Sequence, residues 1–502
     1  MVVNQVFAIG LFLYISTVHP DHFRGGTITW RPYNTTPSGS SVDVIIRERW
    51  SWRRSFFSPG CDDGVIAAKT PLLGNVQDLT CVAGSCTGYW PNMPIPVYCT
   101  DYSVPMDVAS GEYYKTYTIP LNSGFTLAYT TCCWVFELVV GSYGWWSVAA
   151  RVNTALRPDG LLNNSPIATN LPVIYKEVNI QHEHVVQMDD FDRDDILKCR
   201  WATSATTTIN NFDECAGMCN GVPGAVLFQE NCTIVFTLVR VNYYAGVTLQ
   251  IEDFYNSAAV TSNTPMSSVP LQFLFYGYAK PTSCSISPLI IGNRPNRACI
   301  GVMPNDNITE TVIIQVFCPG QTIVDYVSSV PVGMTKSKIL NPSSGIFTII
   351  LSWVPMQSQY GPQGVCFGAV DNNSLQSNQW CITFLVGFRS PDIVYPSLVQ
   401  GSASPIGTVF QNHTLFSFQT TKSVSRPTRN GTYISFYDST TGSPTLVQQF
   451  DCGWQTEVTY TGLTVVIRFP VAPWIPGHSY YVNMDSGMKE DFSLNISSLI
   501  DL

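Results

Sequence analysis

The sequence predicts an all-β chain of tandem β-sandwich domains, and three observations carry that prediction. Charged residues make up 12% of the 502 residues and aromatics another 12%, a balance that suits half-buried pleated sheets better than solvated helices. The 33 prolines and 36 glycines are spread along the chain and punctuate short apolar runs at the spacing of strands and turns. Between them apolar and polar side chains alternate, as in Thr27-Ile28-Thr29-Trp30, the period of a strand with one face turned inward. A chain of this length exceeds what one hydrophobic core organises, so several domains are expected.

Taken in order, residues 1–20 read as a signal peptide. Residues 6–18, VFAIGLFLYISTV, are an apolar run too short to span a bilayer but of the length of a signal h-region. The preceding MVVNQ lacks Lys and Arg, which leaves a buried first strand as the alternative. Residues 21–157 are the first expected sandwich, opening on HFRGGTITWRP and closing on WVFELVV and WWSVAARV. It holds Cys61, Cys81, Cys86, Cys99, Cys132 and Cys133. A bond between the adjacent last two would be strained, so each is expected to find a distant partner.

A polar linker, RPDGLLNNSPIATNLP, leads into the second sandwich, residues 158–280, with strands in TIVFTLVRV, GVTLQIEDF and SVPLQFLFYG. Its Cys199, Cys215, Cys219 and Cys232 fit two disulfides, or a four-thiolate zinc site. Residues 281–389, the third, end on the strands GVCFGAVDNN and WCITFLVGF. Here Cys284 with Cys299 and Cys366 with Cys381 are the expected local pairs. Cys318 is then left either to bridge to Cys452 of the fourth domain or, like Cys452, to remain a thiol. Residues 390–502, the fourth, carry TLFSFQT, GTYISFYDS, LTVVIRFP and HSYYVNM, and the closing SSLIDL lacks the final strand expected of a sandwich, as a fragment or a short member of its family would.

Three features point to export. The 16 cysteines form no CxxC pair, which favours disulfides in an oxidising compartment. Eight sequons occur, at Asn34, Asn163, Asn231, Asn307, Asn372, Asn412, Asn430 and Asn495, candidates for N-glycosylation. Beyond the leader no apolar stretch is long enough for a transmembrane helix. The net charge of −9 comes without a basic cluster longer than Arg53-Arg54, which argues against nucleic acid as a partner.

Several of these stretches together carry a resemblance. HFRGGTITWRP, DDFDRDD with CRWA after it, LQIEDF with SSVPLQFLF, CIGVMP, FGAVDNNSLQSNQWCITFLVG and GSASPIGTVF resemble a family of large secreted or surface proteins of marine invertebrates, built from Ig-like and cadherin-like sandwiches. The opening GGTITW is also similar to repeats of bacterial adhesin-like proteins, and the last block to bacterial-type Ig-like surface modules. The resemblance covers nearly the whole chain after the leader. It implies an adhesion-like or extracellular-matrix-like role.

The densest charge lies in MDDFDRDD, residues 188–195, where five of eight residues are aspartates. Asp190, Asp192 and Asp194 alternate, so their carboxylates could converge on a calcium ion. An EF-hand is excluded, because Asp195 and Trp201 stand where that loop needs glycine and glutamate. The related repeats read D-x-D-G-D, and Arg193 takes the place of the glycine. The competing reading is therefore a solvated turn balanced by Arg193, ahead of the strand ILKCRWA.

Other candidates compete with plain structural roles. His182 and His184 would share one face of a strand and could bind a metal together, but no third ligand lies nearby in sequence. His22 would chelate copper only as the first residue of a mature chain; otherwise it packs with Arg24 at a strand start. Trp145-Trp146, Tyr89-Trp90, Trp50 and Trp52 could present sugar-stacking faces, although alternation buries one ring of an adjacent pair. GxSxG, HExxH and phosphate-cradling glycine loops are absent. The expected function is that of a secreted adhesion or extracellular-matrix protein working through surfaces, not an enzyme. Its partner would be an extracellular protein or glycan, with calcium the one candidate ion. The rivals are a carbohydrate-binding module array and a metal-dependent enzyme built on His182 and His184.

Overall fold

The computed structural model describes residues 22–484, apart from 59, 70, 74–76, 85, 87, 89, 143, 193–194, 283, 292–293, 390–397, 400, 422–423, 425 and 427–430, and adds the backbone of Ile496–Asp501. The expected signal peptide, Arg193, Asp194, Asn430 and Asn495 lie outside the described residues. Strands dominate, and helix is confined to short pieces such as Asp63–Ala68 and Ser257–Ser262. The protein is all-β, in several small sheets and one large one.

The large sheet corrects the expected domain borders. Its middle strand, Phe23–Pro32, is buried along nearly its whole length. It pairs with Ser41–Arg53 on one side and with Ser267–Tyr278 on the other. Ser41–Arg53 continues into Val108–Pro120. Ser267–Tyr278 continues into Tyr244–Phe254, lies parallel to Val173–Glu177 and touches Trp145–Asn153. Thirteen strands thus run through one sheet, and residues 21–157 and 158–280 share one buried cluster instead of forming two beads.

Gly25 makes this junction possible. It sits at φ +119° beside a bulge, and a Cβ there would run into the Gln272 carbonyl, so only glycine lets the two segments close to hydrogen-bonding range. Below the junction Phe23, Trp50, Trp52, Tyr129, Trp134 and Trp146 are all essentially inaccessible. Phe23 stacks on Trp146 at 4.4 Å and meets Trp134 edge-on at 4.7 Å, arrangements that add to the burial of large rings.

The expected linker is also part of this body. Residues 162–174 are buried, and Ile167–Thr169 pairs with Gln187–Asp189. A buried segment must satisfy its polar groups. Ser165 does so through two bonds with Trp30, its N–H donating to the Trp30 carbonyl and its hydroxyl accepting from the Trp30 N–H at 2.9 Å.

Residues 289–386 form a sandwich of a five-stranded and a four-stranded sheet with its own core, including Val312, Ile349, Trp353, Phe367 and Trp380. It is locked to the first body. Every residue of Gly361–Asp371 is buried, and Val327, Cys366 and Val370 belong to the large cluster. Arg49 donates to the Gly364 carbonyl at 2.9 Å and Gln376 accepts from the Tyr175 N–H at 2.7 Å.

The last sandwich has a core around Phe416, Phe436, Phe469 and Trp474, drawn from residues 398–484. Its four-stranded sheet includes Ile496–Asp501 paired with Ser479–Met484, so the closing segment does supply a strand.

Disulfides join Cys61 to Cys99, Cys81 to Cys86, Cys199 to Cys232, Cys215 to Cys219, Cys284 to Cys318 and Cys366 to Cys381. Two expectations are corrected. Cys284 takes Cys318, which rules out both a Cys284–Cys299 pair and a Cys318–Cys452 bridge. Cys132 and Cys133 are bonded to each other across a cis peptide, not to distant partners.

Candidate metal centre

The aspartate-rich segment lies between Gln187–Asp189 and Ile196–Trp201 and turns back against the strand Tyr244–Phe254. Antiparallel pairing sets Ile196 opposite Phe254 and Leu197 opposite Asp253, which brings Asp195 beside Asp253. Carboxylate oxygens of Asp190, Asp195 and Asp253 lie within 4.8 Å of one another. Against the expected set of Asp190, Asp192 and Asp194, of which Asp194 lies outside the described residues, the converging carboxylates are those of Asp190, Asp195 and Asp253, the last some sixty positions along the chain yet adjacent through strand pairing.

Asp192 is fully occupied elsewhere. It accepts from the Asn164 main-chain N–H at 2.7 Å, from Asn164 Nδ2 at 2.9 Å and from Arg157 at 2.8 Å. Arg157 also grips Asp195 with two bonds of 2.9 Å, a fork geometry that suits a carboxylate, and lies over the Tyr255 ring. Asp253 has no exposed surface; it accepts from the Ser267 N–H at 2.7 Å, the Ser267 hydroxyl at 2.8 Å and Asn163 Nδ2 at 2.6 Å. Asp190 accepts from the Asp192 N–H through Oδ1, while its Oδ2 is buried without a hydrogen bond.

The electrostatics follow from this crowding. Burial, reinforced by Asp253, pushes the Asp190 carboxyl well above its ordinary range. Burial and the neighbouring Asp253 and Asp192 push Asp195 up to about 7 even against the pull of Arg157. Asp253 rises to about 6, burial outweighing its hydrogen bonds. Like charges held close in a desolvated place cost free energy unless a proton or cation joins them.

The other sequence candidates resolve differently. Asn163 is buried with its amide on Asp253, which corrects its reading as a glycosylation site; Asn34, Asn231, Asn307, Asn372 and Asn412 are exposed. His182 Nε2 meets the Glu177 carbonyl at 2.7 Å and His184 Nε2 meets Asn170 Oδ1 at 2.8 Å. Among the described residues, the groups able to hold a metal are the Asp190 set and Asp213 with Cys215 and Cys219, so the two histidines do not form the metal site sketched from sequence. The second group has its two sulfurs joined in a disulfide, as has the Cys199–Cys232 pair, which removes the zinc alternative. His22 stacks on Phe56 at 3.9 Å and its main-chain N–H donates to the Cys133 carbonyl at 3.3 Å. Trp50, Trp52 and Trp146 are core residues and Trp145 is exposed, so these rings form no planar sugar platform.

Sequence reasoning found the segment and missed Asp253, Asn163 and Arg157. A signal was available. In GVTLQIEDF two acids, Glu252 and Asp253, stand side by side, so strand alternation turns one to each face and the inward one requires a partner.

Comparison with known proteins bears on the N-terminal part above all. Residues 24–155 match the family model "Integrin beta-like protein A-E, N-terminal". Over 410 residues the chain is 21% identical to "Integrin beta-like protein C" of Dictyostelium discoideum, an alignment covering 76% of this chain and 20% of that protein. The chain thus spans about a fifth of the length of that relative. Among solved structures, it aligns at 10% identity and a TM-score of 0.15 with the sialic acid binding region of a Streptococcus sanguinis adhesin, covering 50% of this chain and 83% of that one. It aligns at 14% identity and a TM-score of 0.15 with an endo-fucoidan hydrolase of glycoside hydrolase family 107, covering 62% and 39%. No helix among the described residues is long and apolar enough to cross a membrane. The resemblance to marine invertebrate surface proteins accordingly narrows to its coarser part: over its first domain, the chain is similar to the N-terminal region of integrin beta-like proteins, an adhesion-like family.

Proposed function

We propose that this chain is the binding region of an exported, adhesion-type surface or matrix protein, which acts through its exposed faces and not through a reaction centre. The observation that carries the reading is the match of residues 24–155 to an integrin beta-like N-terminal family. The disulfides support it, because such bonds persist in oxidising compartments, as do the five exposed sequons at Asn34, Asn231, Asn307, Asn372 and Asn412. Loops and sheet edges are where such modules bind, and the partner is an extracellular protein or a glycan.

Beads coated with the secreted, purified chain test this reading. They are expected to attach to cell surfaces well above beads coated with an inert protein, and to lose attachment after reduction. Attachment no better than the inert control overturns the proposal. Loss of binding to a glycan array on Trp145→Ala would instead assign the activity to carbohydrate recognition at that exposed ring.

A further inference from the structure

We propose that Asp190, Asp195 and Asp253, together with the side-chain oxygen of Asn163, form a binding site for a calcium ion. Calcium bonds oxygen at about 2.3–2.6 Å, so oxygens in its shell stand at most about 5 Å apart; the three carboxylates meet that bound at 4.8 Å.

Asn163 is only 1% exposed, and its Oδ1 has no hydrogen-bond partner. The other end of the same planar amide touches Asp253 at 2.6 Å, which places the orphaned oxygen at the edge of the cluster. A buried amide oxygen without a donor is costly, and an ion would satisfy it. Asp190 Oδ2 is a second such atom in the same place.

Charge and ligand type point the same way. Among the described residues, four carboxylates, those of Asp190, Asp192, Asp195 and Asp253, face one guanidinium, that of Arg157. An all-oxygen set of carboxylates and an amide selects a hard cation over zinc or copper. A hollow lined by Arg157, Asn163, Tyr255 and Met266 borders the site on the side of Asn163. Phe191, between the ligand Asp190 and Asp192, packs on Tyr360 and Phe388 of the next sandwich at 5.7 and 5.6 Å. An ion held by Asp190 would therefore anchor Phe191 and stiffen the joint between the two bodies.

The experiment uses the purified disulfide-bonded chain stripped with EDTA. Calcium at about 100 times its Kd is expected to raise the melting temperature of the large body by about 5 °C. Asp253→Asn and Asp190→Asn should each weaken calcium binding, read by calorimetry, roughly tenfold or more. Glu183→Gln, on an exposed carboxylate of the strand Gln181–Val185, should leave the affinity unchanged. Terbium luminescence of the unaltered chain, sensitised by Tyr255 and reversed by calcium, reads the same site without a variant. The proposal is overturned if calcium gives neither heat nor a melting shift, if terbium shows no calcium-reversible signal, or if both ligand variants bind calcium as the parent does.

Discussion

Glu112 and Asp253 are both carboxylates without exposed surface, and the protein treats them in opposite ways. Glu112 lies between Arg47 and Arg49, with a further bond, of 3.2 Å, from the Val332 N–H. Burial alone would raise its pKa, but the two guanidinium groups overcome that and hold the carboxyl below its ordinary range. Asp253 shares its place with Asp190 and Asp195, and among the described residues the cation at the cluster, Arg157, is committed to Asp192, Asp195 and Asp159. One site is complete with protein groups; the other has negative charge to spare. The difference teaches that burial by itself does not mark a site, whereas a deficit of countercharge does. A third solution appears at His184, which is buried and kept neutral: burial, helped by Lys176, lowers its pKa to about 3.

The largest expected effect tests the complete site. Glu112→Gln leaves Arg47 and Arg49 buried against a neutral group and should cost roughly 3–5 kcal/mol of unfolding free energy, measured as an earlier denaturant transition of the large body. Arg157→Met should cost less in EDTA, roughly 2 kcal/mol, with part of the loss recovered on adding calcium; equal losses in EDTA and calcium would erase the distinction drawn between the two sites.

His184 gives a pH test. Its folded pKa of about 3 lies below the ordinary value of 6.5, so the unfolded chain takes up a proton first as the pH falls. The stability from this residue is complete above pH 6.5 and is lost progressively down to about pH 3. By about pH 5.5 the loss should be roughly 1 kcal/mol, and His184→Gln, which keeps a bond to Asn170 within reach, should flatten that slope. The smallest effect is the sharpest in sign. Asp190→Asn in EDTA removes one of several like charges and should leave stability unchanged or raise it by up to about 1 kcal/mol, whereas the same carboxylate-to-amide change at Glu112 destabilises. A clear destabilisation at Asp190 would show that the cluster is already balanced.

Much of the fold was legible because strand periodicity is local. WCITFLVGF holds the strand Trp380–Val386, TIVFTLVRV holds Thr233–Thr237 and HSYYVNM holds Ser479–Met484. The domain borders were not legible, since Phe23–Pro32 joins Ser267–Tyr278 through a pairing that no window of sequence contains. The segment RPDGLLNNSPIATNLP has the composition of a linker, and its burial depends on partners such as Trp30 and Asp253 that come from elsewhere. Of the metal centre, Asp190 and Asp195 stood out as a run of charge. Asp253, Asn163 and Arg157 are single residues whose meaning exists only once the strands are paired.

The bond between Phe23–Pro32 and Ser267–Tyr278 has a consequence for how the chain is made. The first strand leaves the ribosome about 240 residues before its neighbour Gln272, a delay of about 12–50 s at ordinary elongation rates. Throughout that interval one edge of a strand that is almost wholly buried in the finished fold has no mate, a template for pairing with the wrong chain. Biosynthesis should therefore depend on a helper that shields this segment in transit, and nascent chains halted before residue 267 should aggregate where those released after residue 280 do not.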